Sequence, residues 1–238
     1  MPTVSVIIPV LNEEDAIAKV IADIPQTVRT LDEQNEATVQ EIIVVDNGCT
    51  DNTSAIAEQN GARVVTEPQR GYGHACLAGI AALETSVPDI VVFLDGDYSD
   101  YPTDMSQLLH PILEGSAALV IGARTQGNAK EALLPQARFG NWLACFLIRH
   151  FFGVRYTDLG PFRAIRYADL LALNMQDKTF GWTVEMQLKA AKQGIPACEV
   201  PVRYRKRIGT SKITGTFTGT LKASYKILTT LIYHRFLA

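Results

Sequence analysis

Acidic residues are missing from the last part of this chain. Nothing after Glu199 carries a negative side chain, while Arg203, Arg205, Lys206, Arg207, Lys212, Lys222, Lys226 and Arg235 all follow it. The formal net charge is only −3 over 238 residues, so this is an asymmetry and not a global excess. It points to a polyanionic partner (phosphates, a membrane surface or nucleic acid), against the plain alternative of a solvated basic face. Cysteine is scarce: Cys49, Cys76, Cys145 and Cys198 stand far apart with no C-x-x-C pair. That excludes a disulfide scaffold and a zinc module, and it reads as reduced thiols in a cytosolic protein. No uncharged apolar run reaches the roughly 18 residues of a membrane-spanning helix. Met1 leads almost directly into a strand, so no signal peptide is expected. Internal repeats and low-complexity tracts are absent. The aromatic residues are not interleaved with the basic ones as a single-stranded nucleic-acid platform requires, so no nucleic-acid partner is expected.

What is present alternates. Thr3 to Val10, Glu41 to Val45, Ala62 to Thr66, Ile90 to Leu94 and Ala117 to Ile121 are apolar, β-branched runs, the signature of strands buried on both faces of a sheet. Amphipathic or small-residue helices are expected between them, from Ile17 to Ile24, from Thr50-Asp51-Asn52-Thr53 (with Asp51 or Thr50 as cap) to about Gln59, from Ala75 to Leu83 and from Thr103 to Leu113. Strict alternation predicts a parallel sheet with right-handed crossovers and helices on both faces. Polar stretches at Asp32–Gln40 and Gln126–Gln136 read as insertions within one domain, the second as a mobile connector. Arg138 to Phe152 is expected to be helical. Its Phe139, Trp142, Leu143, Phe146, Leu147 and His150 fall at helical spacing, which suits either a core helix or one lying in a membrane interface. Trp182 to Lys192, containing Glu185, reads as a helix and Cys198 to Tyr204 as a further strand. Thr220 to Phe236 reads as a last amphipathic helix, with Leu221, Ser224, Tyr225, Leu228, Leu231 and Ile232 on one face.

The strand at Ile90–Leu94 ends in Asp95-Gly96-Asp97, with Asp100 just beyond. Ligands of open α/β sheets bind outside the carboxyl ends of strands. Two carboxylates one residue apart repel unless a cation lies between them, and a hard divalent ion, Mg²⁺ or Mn²⁺, is the simplest candidate. Gly96 allows close backbone approach to a ligand. The plain alternative is a polar turn with Asp100 or Thr103 capping the next helix. Arg70-Gly71-Tyr72-Gly73 before a helix suits a phosphate at a helix N-terminus, or a tight turn with an exposed arginine. Arg205 to Lys212 (RKRIGTSK) is a basic loop fit to clamp phosphates.

VSVIIPVLNEE, EIIVVDNGCTDNT, FLDGDYSDYP, YTDLGPFRAIR and RIGTSK, in that order from Val4 to about Lys212, resemble the family 2 glycosyltransferases. Within them the likeness is to the dolichol-phosphate (polyprenol-phosphate) mannose and glucose synthases. The resemblance implies a GT-A fold: a Rossmann-like, mostly parallel sheet with helices on both faces, to which this chain adds a C-terminal amphipathic helix. The expected division is a catalytic domain at 1–212 and a basic helix at 213–238. The implied reaction is inverting transfer of a hexose from GDP-mannose or UDP-glucose to a polyprenyl phosphate, or alternatively to a hydroxyl acceptor. A sugar-phosphate nucleotidyltransferase would place a glycine-rich basic loop after the first strand, where LNEE stands instead. The nucleotide-sugar is expected at Pro9, Asn12, Glu13, Asp46, Asp95, Gly96 and Arg207, with the metal on Asp95 and Asp97. Arg124 and Arg138 match basic positions that hold the acceptor phosphate. A lipid phosphate is already anionic and needs no base, whereas an alcohol would need one. Asp158 and Glu185 are the available acids, unless they only orient Arg163 or Arg166. Asp97, Asp158 and Glu185 are therefore the catalytic candidates. Two departures stand out: Asn47 follows Asp46 where the family often has a second Asp, and Ser99 occupies the place of a metal-binding glutamine. A lipid acceptor implies a peripheral protein at the cytoplasmic membrane face, docked through Arg138–Phe152 and through Thr220–Phe236 with Lys222, Lys226 and Arg235. The oligomeric state is not legible.

Overall fold

The computed structural model describes residues 1–29, 36–127, 132–133, 135–209 and 217–236. Strand β1 (Thr3–Val10) is the centre of the sheet, flanked in parallel by β3 (Glu36–Asp46) and β5 (Ile90–Phe93). Along β1, Val4, Val6, Ile8 and Val10 join one apolar cluster and Ile7 joins the other. In β5, Ile90 and Val92 face the first cluster, Val91 and Phe93 the second. Both faces are buried, which is why these strands read as unbroken apolar runs instead of alternating ones. One face is covered by α1 (Ile17–Ala22), α2 (Thr53–Gln59) and α4 (Met105–Leu113), through Ile17, Val20, Ile21, Ala57, Met105, Leu108 and Ile112. The other carries α3 (Tyr72–Ala82), α5 (Pro135–Phe152), α6 (Tyr167–Leu173) and α7 (Trp182–Gln193). There Trp182 meets Phe93 edge-on at 5.9 Å.

With β2 (Thr27–Arg29), β4 (Arg63–Thr66), β6 (Leu119–Gly127), β7 (Arg163–Arg166) and β8 (Ala197–Tyr204), the described residues form one eight-stranded sheet, in the order β2-β3-β1-β5-β7-β6-β8 with β4 also on β3. The GT-A architecture is present, and the sheet is mixed. β7 runs antiparallel between β5 and β6. The sequence gives little sign of it, because RAIR is four residues long with an arginine at each end. Arg163 is nevertheless fully buried, its guanidinium donating to the carbonyls of Leu159, Gly160 and Thr183. The stretch expected as polar up to Gln40 is strand from Glu36 onward, hairpin-paired with β2. α6 was likewise not anticipated. β6 runs on to Gly127 and α5 begins at Pro135, which shortens the expected connector at both ends. Its residues 128–131 and 134 lie outside the described ones.

Helix α8 (Phe217–Phe236) packs on α5 and α7. Its inner stripe is Ile227, Thr230, Leu231 and His234. Tyr225 and Ile232, expected on the same face as Leu231, are exposed. The expected 212/213 boundary, Lys212 and the side chain of Lys222 fall outside the described residues. Among the described residues no helix is long and apolar enough to cross a membrane.

Candidate active site

Parallel pairing sets the C-terminal ends of β1, β3 and β5 along one edge, and a cleft of about 370 Å³ opens there. Pro9, Glu13, Asp95, Gly96, Asp97 and Arg207, all anticipated, line it. Val10, Leu11, Asn47, Arg70, Gly71, Tyr72, Ala75, Thr179 and Phe180 complete its walls. A Cβ on Gly96 would press on Val10 and Ile8, so the glycine is needed for β1 and the Asp95–Asp97 turn to approach.

Asp97 is held by Ser99, whose N–H and hydroxyl donate to Oδ1 at 2.9 and 2.5 Å. Ser99 is 1% exposed, so in this arrangement it orients Asp97 and does not face the cleft. Asp97 Oδ2 pairs with Arg207 at 3.1 Å, and the same guanidinium reaches Glu13 Oε1 at 2.6 Å. Arg207 Nε finds no acceptor among the described residues, which leaves it a donor to spare. Tyr72 donates to Asp95 Oδ1 at 3.2 Å. Burial, and after it the charge of Asp97, pushes the Asp95 carboxyl up to about 7. Asp95 and Asp97 offer two carboxylates to a divalent cation, while Glu13 shares the Arg207 guanidinium with Asp97. Among the described residues no cluster of three or more His, Cys, Asp or Glu could hold one. A cation at Asp95 and Asp97 would therefore draw the rest of its shell from a bound diphosphate and water.

Two other anticipated residues, Asp46 and Asn12, are not among those that line this cleft. The Asp46 carboxylate accepts from Gly48 N, Cys49 N and Ser54 Oγ at 2.9, 2.7 and 2.5 Å. Burial raises its pKa, but the bonds from Ser54, Cys49 and Gly48 win and hold it below the usual carboxylate range. Asn12, in a left-handed conformation (φ 56°), pairs with Thr50 and ties the turn after β1 to the turn after β3. Asn47 was noted only as a departure from the family pattern. Its amide donates to the carbonyls of Glu67 and Gln69 and accepts from Gly71 N at 2.7 Å. An aspartate could not make those two donations. The N-terminus of α3, considered for a phosphate, spends its Gly73 and His74 N–H groups on the carbonyls of Thr179 and Lys178.

The basic segment divides. Arg203 is bound to Asp104, and Arg205 stacks over Tyr98 and Tyr101 while donating to the Tyr98 carbonyl. Arg205 N also donates to Ser99 O, and Ile208 N to Asp97 O. This backbone pairing presents Arg207 to the cleft. Residues 210–212 of the expected clamp lie outside the described ones.

On the other side, Arg124 and Asp158 are bound to each other. Nε–Oδ2 is 2.8 Å, Nη2–Oδ1 is 2.6 Å, and the Arg124 backbone N–H adds 2.8 Å to Oδ2. Although burial opposes it, Arg124 holds the Asp158 carboxyl low. Glu185, 3% exposed, accepts from the N–H groups of Gln176 and Asp177 and pairs with Lys189 at 2.8 Å. Arg138 is exposed on α5. Asp100, 1% exposed, has no hydrogen-bond partner for either carboxyl oxygen among the described residues. Burial, then the charges of Asp95 and Asp97, push it well above the carboxylate range.

A mixed sheet of this order with a carboxylate pair at its open edge is that of a GT-A transferase. Residues 5–171 match the profile of the family described as glycosyl transferase family 2. The chain belongs to that family. It is 34% identical over 221 residues to an uncharacterised glycosyltransferase of Mycobacterium tuberculosis, covering 92% of this chain and 94% of the other. A dolichyl-phosphate hexose transferase of Haloferax volcanii is 31% identical over 211 residues, at 88% and 86% coverage. Among solved structures, glucosyl-3-phosphoglycerate synthase from M. tuberculosis, in complex with Mg²⁺ and uridine diphosphate, superposes with a TM-score of 0.73 at 25% identity. That match covers 98% of this chain and 79% of the other.

Proposed function

We propose that this glycosyltransferase moves a hexose from a nucleotide-sugar, UDP-glucose or GDP-mannose, onto a polyprenyl phosphate, with inversion and with Mg²⁺ or Mn²⁺. The observation that carries this is the cleft itself, where Glu13 and Asp97 share the guanidinium of Arg207 and Asp95 lines the same wall. Pro9, Val10 and Leu11 would meet the nucleoside, Arg207 would turn its unused donor to the diphosphate, and Asp97, oriented by Ser99, would hold the cation with Asp95. The cation supplies charge stabilisation to the leaving nucleoside diphosphate. Arg138 and Arg124 are the proposed acceptor-phosphate residues, Arg124 on the condition that it exchanges or shares its bond to Asp158. The commitments of Asp158 and Glu185 leave neither poised as a base, which suits an acceptor that is already ionised.

The membrane part of the proposal draws on α5. Phe139, Trp142 and Phe146 are exposed and stacked in a ladder, with successive centroids 5.8 Å apart, while Ala144, Cys145 and Ile148 face the core. Neither α5 nor α8 contains an acidic residue. An outward aromatic stripe with arginines beside it suits a peripheral, interfacial position. A hydroxyl acceptor is the second possibility, favoured by one observation: the buried Asp100 carboxyl has no hydrogen-bond partner among the described residues, and it would supply the base on the condition that it loses its proton and opens to the cleft. Transfer assays with UDP- and GDP-sugars, Mn²⁺ and either polyprenyl phosphate or soluble alcohols separate the two. An acid-labile glycosyl phosphodiester, formed within about tenfold of the wild-type rate by Asp100→Asn, is expected. Transfer to alcohols alone, with loss of about 10²-fold or more in Asp100→Asn, would overturn the lipid-phosphate assignment.

A further inference from the structure

Lys226 was expected beside the apolar face of the last helix, as a contact to a membrane surface, and its side chain is 40% exposed. Its ammonium pairs at 2.9 Å with Asp177 Oδ2, an acid that is 9% exposed and whose side chain is 6% exposed. The other oxygen of Asp177 gathers a tight loop: Oδ1 accepts from Thr179 N at 2.8 Å and from Gly181 N at 3.2 Å. The loop has no slack. A Cβ on Gly181 would collide with the Asp177 carboxylate and with the Thr230 hydroxyl of α8, and one on Gly73 would collide with the Asp177 carbonyl. Its far side is fixed to the start of α3, where Gly73 and His74 donate to the carbonyls of Thr179 and Lys178 at 3.2 and 3.1 Å. Thr179 and Phe180, at the tip, form the cleft wall beside Gly71 and Tyr72.

We propose that Lys226 is a positioning residue for the donor cleft. From α8 it holds the Asp177 carboxylate, and through it the 177–181 loop that sets Thr179 and Phe180 against the bound nucleotide-sugar. The inference rests on the cleft being the donor site. It gives α8 a second role: its outer side, with Tyr225, Ile232 and Tyr233, is free to meet a surface, while its inner edge shapes the cleft. Lys226 would then act without touching substrate, and its effect would persist with no membrane present. A lysine that served only to attract an anionic leaflet would have no influence on donor binding in lipid-free buffer. One that only pinned the helix would change stability and leave donor affinity alone.

The test is donor affinity of the full chain in lipid-free buffer with Mn²⁺, using UDP-glucose and GDP-mannose, measured by calorimetry. Lys226→Met is expected to raise the donor Kd about tenfold, the usual scale of coupling between a distant group and a site. It should also speed amide exchange at Thr179, Gly181, Gly73 and His74. Lys226→Arg should restore both to within about twofold. Asp177→Asn keeps an acceptor for Thr179 and Gly181 but loses the charge that Lys226 faces, so it should repeat the Lys226→Met result and serves if that variant fails to fold. Wild-type donor affinity in a folded Lys226→Met or Asp177→Asn would overturn the proposal. If the wild-type chain itself binds neither nucleotide-sugar, the donor assignment of the cleft falls first and the positioning role falls with it.

Discussion

The proposed donor side and the proposed acceptor side of this molecule use the same residue types in opposite ways. At the donor edge Arg207 bridges Glu13 and Asp97 with one nitrogen left unpaired, so its contacts can be exchanged for phosphate oxygens. Some residues away along the sheet, Arg124 is gripped by both oxygens of Asp158 through side chain and backbone. A guanidinium shared among acids at the mouth of a cleft is available chemistry. One locked in a buried fork is first of all structure, because breaking such a pair strands a charge.

The largest effect that would break this contrast is at Asp97. Asp97→Ala should lower kcat/KM by about 10³-fold or more, since the cation loses its best-oriented ligand, while urea unfolding stays near wild type. Activity that survives both this change and chelation would contradict the cation assignment. Next comes Asp158→Asn, which leaves Arg124 buried without its charge partner. It should cost about 3–5 kcal/mol of stability, read as a lower urea midpoint at constant slope. The pH dependence follows with a definite sign. The folded Asp158 carboxyl is held below its unfolded value, so its contribution is complete above the usual carboxylate range and is lost as pH falls through the folded pKa. The gap between wild type and Asp158→Asn should therefore narrow in acid. A gap that widens there would mean that the pair does not persist in solution.

A smaller change sharpens the donor side. Arg207→Met should reduce kcat/KM by roughly 10²-fold, the scale of one lost donor to a developing charge, with a smaller loss of stability than Asp158→Asn. An equal loss of stability would place Arg207 in the same class as Arg124. The smallest expected effect on the fold belongs to the aromatic ladder. Trp142→Ala with Phe146→Ala should leave stability within about 0.5 kcal/mol, as exposed substitutions do. The same variant should bind anionic vesicles about tenfold more weakly. Unchanged vesicle binding would remove α5 from the membrane part of the proposal.

The sequence discloses the two sides unequally for physical reasons. Parallel strands buried on both faces announce themselves as apolar runs, and β1 and β5 begin within a residue of their expected starts. The carboxylates at their ends follow from the same runs. β7 does not announce itself, because its buried Arg163 is satisfied by carbonyls that only the folded chain supplies. Nor does the sequence say which way an amphipathic helix turns. The aromatic positions of α5 suit a core or an interface equally, and only the inward packing of Ala144, Cys145 and Ile148 shows that Phe139, Trp142 and Phe146 face outward. Asn47 shows the limit most plainly. As a letter it is a missing aspartate; in the structure it is the amide that fastens residues 67–71 to the cleft.

The most direct measurement is product analysis after incubating the full chain with Mn²⁺, UDP-glucose or GDP-mannose, and polyprenyl phosphate in vesicles. Formation of an acid-labile glycosyl phosphodiester with stoichiometric release of nucleoside diphosphate, abolished by Asp97→Ala, is the predicted result. Release of nucleoside diphosphate only when a soluble alcohol is supplied, with no lipid-linked sugar, would contradict the account.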